Sequence, residues 1–188
     1  ENRNTRCDCG YPAQSLGHII QTCSKTHATR MDRHDTILKA IAKHLQQRQF
    51  HVAIEPRIPT KDGIRIPDLI AWKEDLAICS AVTISSDIAI LNADHLNKTN
   101  KYDNNDIRDW IRLHNPSPET TLKKIYFSAH VWNWRGAIAQ KSYNDLIFLG
   151  LTKTNIKWLT ICVLKKSYQI WQTYKSNTTR LPVDYQET

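Results

Sequence analysis

The sequence predicts a mixed α/β domain with a small Cys/His module ahead of it and a long helix at its end. Three observations predict this. Residues 64–85 read as two strand-like runs about a polar turn. Residues 33–45 and 153–175 place apolar residues at helical spacing. Residues 7–23 gather three of the five cysteines with a histidine.

The 188 residues suffice for one good core and a small appendage. A hydrophobic fraction of 40% is ordinary for a globular chain, and no apolar run approaches a membrane span. The net charge is +8 and the pI about 9.3, which favours an anionic partner, nucleic acid first among them. The chain begins at Glu1 without a Met and reads as part of a longer protein. An odd number of cysteines, clustered with a histidine, points to metal in a reducing compartment rather than to a disulfide framework.

In chain order, Cys7, Cys9, His18 and Cys23 have the spacing C-x-C-x8-H-x4-C. Three thiolates and an imidazole suit a closed tetrahedral zinc site. The H-x4-C interval is that of a zinc knuckle, a module that often touches nucleic acid. The single residue between Cys7 and Cys9 is tight, which keeps His27 open as a substitute ligand. Lys25, Arg30 and Arg33 follow the module and are candidate nucleic-acid contacts. A helix is expected from Asp32 or Arg33, with Ile37, Leu38, Ile41 and Leu45 on one face and His34 and Asp35 at its front. A strand is expected over 51–57, then a turn at Lys61-Asp62-Gly63.

The stretch 64–85 follows. Ile64–Trp72 and Leu76–Ser85 are the strands, and Lys73-Glu74-Asp75 the turn. Alternation puts Ile78, Val82 and Ile84 with Ser80 on one face, and Ala77, Cys79, Ala81, Thr83 and Ser85 on the other. The second face is expected to be small and polar, with room for a cation and a phosphate. Helices are expected over 87–102, 107–114 and 142–149, a strand over 124–134, and the long helix over 153–175. Of the six tryptophans, Trp132, Trp134, Trp158 and Trp171 are expected mainly in the core.

Pro67-Asp68 sits between apolar residues, with a second strand at hairpin distance, and a Cys-Cys-His-Cys cluster precedes it. With RHDTILKAIAKHL (33–45), EPRIPTKDG (55–63) and HLNKTNKY (95–102) in order, the chain resembles the C-terminal portion of a site-specific non-LTR retrotransposon protein. That portion is a zinc knuckle plus restriction-like endonuclease. The motifs cover residues 7 to about 102. The resemblance implies an α/β, PD-(D/E)xK restriction-endonuclease-like core with a small N-terminal zinc knuckle and a C-terminal helix. It divides the chain into a knuckle (1–30), an endonuclease domain (31–175) and a polar tail (176–188).

The resemblance further implies that the domain nicks target DNA so that the new 3′ hydroxyl primes an upstream reverse transcriptase domain of the same polypeptide. It implies a nuclear protein with target DNA as partner, room for element RNA, and no membrane. Asp68 matches the first catalytic acid. Position 81 matches the second, where the family has Asp or Glu and this chain has Ala81. Lys98 matches the catalytic lysine, with Lys101 second, and Tyr102 matches an aromatic near the site. The first helix and Glu55 lie where such nucleases often add an auxiliary acid. Structural Zn²⁺ and catalytic Mg²⁺ or Mn²⁺ are the implied cofactors, the latter held by Asp68 and position 81. With a methyl group at 81, little or no cleavage is expected. An engineered Asp→Ala change explains the otherwise intact frame more simply than decay. The rival expectations are a nucleic-acid-binding module that never cleaves and a purely structural domain.

Overall fold

The structure, a computed structural model, describes residues 6–86 and 89–178. Helix α1 (Leu16–Gln21) starts at Ser15, whose Oγ accepts from the His18 N–H at 3.2 Å. A 3₁₀ turn at Ser24–Thr26 leads into α2 (His27–Gln47), which buries Ile37, Leu38, Ile41 and Leu45 along one stripe. The helix begins five residues before the expected Asp32. The boundary expected between residues 30 and 31 therefore falls inside an unbroken helix.

The main sheet has the order β1-β4-β5-β6, from β1 (His51–Ile54), β4 (Leu69–Lys73), β5 (Leu76–Ser85) and β6 (Lys124–Asn133). The first three are antiparallel, and β6 runs parallel to β5 over ten register pairs, so the sheet is mixed. The strand expected over 64–72 is two strands. Gly63–Arg65 (β3) pairs with Ile58–Thr60 (β2) in a separate ribbon, and β4 begins only at Leu69. Pro67 offers no ladder N–H, which suits the break between them. Strand β1 likewise ends at Ile54. Glu55 turns the chain at φ +49 while its N–H donates to the Asp68 carbonyl at 3.0 Å.

Between β5 and β6 run α3 (Leu91–Tyr102) and α4 (Asn105–Leu113). After β6 come α5 (Gln140–Phe148) and α6 (Lys153–Thr178). The expected tail thus contributes its first three residues to α6, and its remainder, 179–188, lies outside the described residues. The helix expected from Asp87 starts at Leu91, and residues 87 and 88 also lie outside them.

Helices α2, α5 and α6 cover one sheet face through Ile37, Ile41, Leu45, Ile78, Trp132 and Val163. On the other face Ala77, Cys79 and Ala81 pack with Ile58, Trp72, Tyr102, Ile107 and Ile111. The expectation of a small, polar, open face is therefore corrected. Small side chains on β5 let the layer of α3, α4 and β2 pack close, and Ala77, Cys79 and Ala81 are each at most 1% exposed. Each large aliphatic buried in these layers contributes about 1.5–3 kcal/mol.

Candidate metal centre and strand-end site

The Cys/His cluster is assembled from the loop before α1, from α1 itself and from the residue after its cap. Cys7, Cys9, His18 and Cys23 bring one potential ligand atom each to within 4.8 Å of one another. His18 fills the nitrogen position, and His27 is not in the group. The Cys7 and Cys23 sulfurs are 3.7 Å apart, close to the edge of roughly 3.8 Å of a tetrahedron with metal–sulfur bonds of about 2.3 Å. His18 Nε2 is 3.1 Å from Cys9 Sγ, while Nδ1 is 2.9 Å from Thr22 Oγ1, which orients the ring. All five cysteines are free. The four side chains can hold a metal ion such as zinc.

The cluster is fastened to the rest of the molecule. The Tyr174 hydroxyl on α6 lies 3.1 Å from Cys7 Sγ. Burial raises the Cys7 thiol, but hydrogen bonds from the Cys9 backbone and Tyr174 outweigh it, so Cys7 is held below the ordinary thiol range. Cys23 is raised to about 11, chiefly by burial. From α2, Arg30 donates to the Gln21 and Cys23 carbonyls at 2.7 and 3.3 Å. Arg33 donates to Gln21 Oε1 at 2.6 Å and Ser167 Oγ at 2.9 Å. Arg33 is 3% exposed, which corrects its expected role: its guanidinium braces the cluster and α6 and is not offered to nucleic acid. Lys25 is exposed on the 3₁₀ turn, and Arg30 is half-buried.

The strand-end site lies where β1 and β4 part. Leu69 pairs with Ser80 across the hairpin, and continuing that register sets Asp68 opposite Ala81. Asp68 Oδ2 accepts from the Val82 N–H at 2.6 Å and lies 3.3 Å from His34 Nε2 on α2. His34 is raised in pKa, first by its hydrogen bond to Asp68, against a cost of burial. His34, Asp35 and Glu55 form a second group whose ligand atoms lie within 4.8 Å of one another. Tyr102 is buried, and its hydroxyl donates to the Ile66 carbonyl at 3.0 Å, next to Pro67-Asp68. Burial, then the Asp68 charge, push its phenol up to about 12. Lys98 lies one helical turn before Tyr102 on α3 and is half-buried. Lys101 is exposed, with its ammonium 5.2 Å from the Tyr102 ring centre.

Sequence reasoning missed a buried polar group beside this site. His95 on α3 sits 2.7 Å from Asp145 on α5, which also accepts from the Tyr126 hydroxyl at 2.7 Å. His130 on β6 is fully buried, and neither ring nitrogen has a hydrogen-bond partner among the described residues. Burial lowers it to about 4, so it is neutral. The signal available was a histidine in an otherwise apolar strand, which nothing in local sequence connects to Asp145.

The molecule is thus a mixed α/β domain with a Cys₃His cluster at one end and a carboxylate–histidine group at the ends of its central strands. No protein-family model matches the chain. It is homologous to part of the Pol polyproteins of R2 retrotransposable elements. It is 33% identical over 95% of its length to the retrovirus-related Pol polyprotein from type-1 retrotransposable element R2 of Nasonia vitripennis. It is 30% identical over 79% of its length to that of type-2 retrotransposable element R2DM of Drosophila melanogaster. An R2 Pol polyprotein of Popillia japonica is 39% identical over 42% of the chain. The chain spans 17% of the first relative and 14% of the second.

Proposed function

We propose that this domain is the restriction-like (PD-(D/E)xK) endonuclease part of an R2-type retrotransposon protein, nicking target DNA to prime reverse transcription by another domain of the same polypeptide. The observation that carries the reading is Asp68 in contact with His34, which itself clusters with Asp35 and Glu55 where β1 and β4 part, with Tyr102 beside the Pro67-Asp68 segment. Homology to R2 Pol polyproteins supports it. The net charge of +8 suits a DNA substrate.

Asp68 would hold a divalent cation, and Asp35 and Glu55, which share a ligand cluster with His34 beside it, would be the neighbouring acids. The donor set fits, since hard oxygen ligands suit Mg²⁺ and an adjacent imidazole suits Mn²⁺ better. Such a cation supplies positive charge to the scissile phosphate and acidifies bound water. Asp68 is fixed for this by the Val82 N–H, which holds one carboxylate oxygen. Lys98 is assigned to orient the attacking water and offset phosphate charge, with Lys101 at the edge. Ala81 contributes only a methyl group opposite Asp68, so one anionic ligand expected there is lacking.

Supercoiled-plasmid nicking in Mg²⁺ and in Mn²⁺ tests the reading. The chain as it stands is expected to nick weakly or not at all, and Ala81→Asp to raise nicking by several orders of magnitude. Adding Asp68→Ala or Lys98→Ala to Ala81→Asp should abolish it. An Ala81→Asp chain that stays folded, binds DNA and never nicks would leave a non-cleaving zinc-knuckle module as the reading.

A further inference from the structure

The strand-end site makes no use of the last turns of α6, which run to the Cys/His cluster instead. Ser167, Ile170 and Tyr174 are spaced by three and four residues, so they share one face of that helix, and all three are buried. Ser167 accepts from Arg33, Ile170 packs with Ile20 of α1, and Tyr174 packs with Cys7, Ile19 and Cys23. The stripe therefore leads from α2 to the cluster itself. Trp171 stacks on the Tyr174 ring, with 6.3 Å between the ring centres. Tyr174 is 1% exposed, in a place that a phenylalanine would fill as well. A phenol oxygen buried there without a partner would be costly. It has one, because the hydroxyl lies 3.1 Å from Cys7 Sγ.

We infer that Tyr174 is a hydrogen-bond donor to the metal-bound sulfur of Cys7, so that loading the cluster and docking the end of α6 are a single event. The polarity of the contact follows from the chemistry of the ligand. A sulfur bound to a metal carries no proton and can only accept, so in the loaded molecule the phenol O–H donates. Cys7 is 2% exposed, so water does not reach the negative charge that stays on its sulfur, and a fixed donor takes water's place. Hydrogen bonds to a charged acceptor are stronger than neutral ones, so metal loading tightens the tie between the cluster and α6. The converse also holds. Tyr174 rests on Cys7, Ile19 and Cys23, and α1 has six residues, too few to keep a helix unaided. Emptying the cluster therefore withdraws the support under the last turns of α6. The coupling requires that the Cys₃His set hold a metal, and nothing in it requires DNA cleavage.

The test compares the whole chain with Tyr174→Phe, which keeps the ring and removes one oxygen. Cobalt(II) is the spectroscopic probe and zinc the affinity probe. In the cobalt-loaded variant the sulfur-to-metal charge-transfer band is expected to move to lower energy, because a sulfur lone pair without its donor gives up an electron more readily. The d–d bands should stay where they are, since the ligand set is the same. Zinc affinity, read by competition with a chelating indicator, is expected to fall about tenfold. Amide exchange over residues 171–178 is expected to quicken when the parent is stripped of metal, and to be faster in the zinc-loaded variant than in the zinc-loaded parent. A charge-transfer band or a zinc affinity left unchanged by Tyr174→Phe overturns the inference, since a ring that only packs would leave both in place. So does a stripped parent whose residues 171–178 stay as protected as in the loaded one. A parent chain that takes up neither zinc nor cobalt overturns the metal centre itself, and the coupling with it.

Discussion

His130 shows how a single side chain sets an acid limit on the fold. It stands fully buried on β6 with neither nitrogen hydrogen-bonded among the described residues, close enough to His95, Asp145 and Asp68 to feel their charges. Its pKa in the fold, about 4, lies below the unfolded value of about 6.5. Between those values the unfolded chain binds a proton that the folded chain refuses. The associated stability is complete above about pH 6.5 and drains away as pH falls toward 4, by at most about 3 kcal/mol. His44, also lowered by burial, adds a slope of the same sign. His34 acts oppositely: Asp68 raises it, so its contribution is present below its unfolded value and lost as pH rises through the folded one. Urea unfolding at pH 7 and pH 5 should therefore show a smaller pH dependence in His130→Leu. At pH 7 that variant should be as stable as the parent or more so, because it removes two orphaned polar atoms along with the imidazole.

At the scale of elements, α2 is the link between the two sites. Its first turns grip the Cys/His cluster through Arg30 and Arg33, and His34 and Asp35 one step later face Asp68 and Glu55. Stripping the metal with a chelator should release α1 and the 3₁₀ turn first, read as faster amide exchange over residues 7–26, while β4, β5 and β6 stay protected. Arg33→Met should cost about 2–3 kcal/mol in urea unfolding, because the carbonyl and hydroxyl oxygens that its guanidinium serves lose their donor in a buried place. The same substitution should weaken zinc binding, since Arg33 holds the Gln21 segment that carries Cys23 into position. If Arg33→Met is neutral in both measurements, the arginine is packed there without bracing the cluster.

For the molecule as a whole, the excess of eight positive charges predicts duplex-DNA binding that weakens steeply with salt. Each phosphate neutralised should contribute about −0.9 to the slope of log affinity against log salt. Lys25→Glu should reduce duplex affinity severalfold and flatten that slope, with the melting temperature unchanged, because Lys25 is exposed. Arg33→Glu should instead unfold the cluster, since Arg33 is buried. Duplex binding that is flat from low to physiological salt would show the charge to be incidental.

The sequence by itself determined the elements whose cause is local. The heptad-like stripe Ile37, Leu38, Ile41, Leu45 makes a helix because those side chains must share one face. The alternation through Leu76–Ser85 makes a strand for the same reason with a period of two. The Cys7, Cys9, His18, Cys23 set was legible because its ligands lie within seventeen residues and their chemistry is particular to metals. Tertiary structure decided what each face meets. Alternation put Ala77, Cys79 and Ala81 on a common face, but only the packing of α3, α4 and β2 made that face a closed core. Arg33 reads as a surface cation until α6 supplies Ser167, 134 residues away, as its partner. Glu55 reads as an acid at a strand end until the β1–β4 pairing brings it beside Asp35 and His34. The physical reason is common to all three. Periodicity and ligand chemistry are carried by neighbours in sequence, whereas burial and charge pairing depend on partners that only the completed fold brings within a few ångströms.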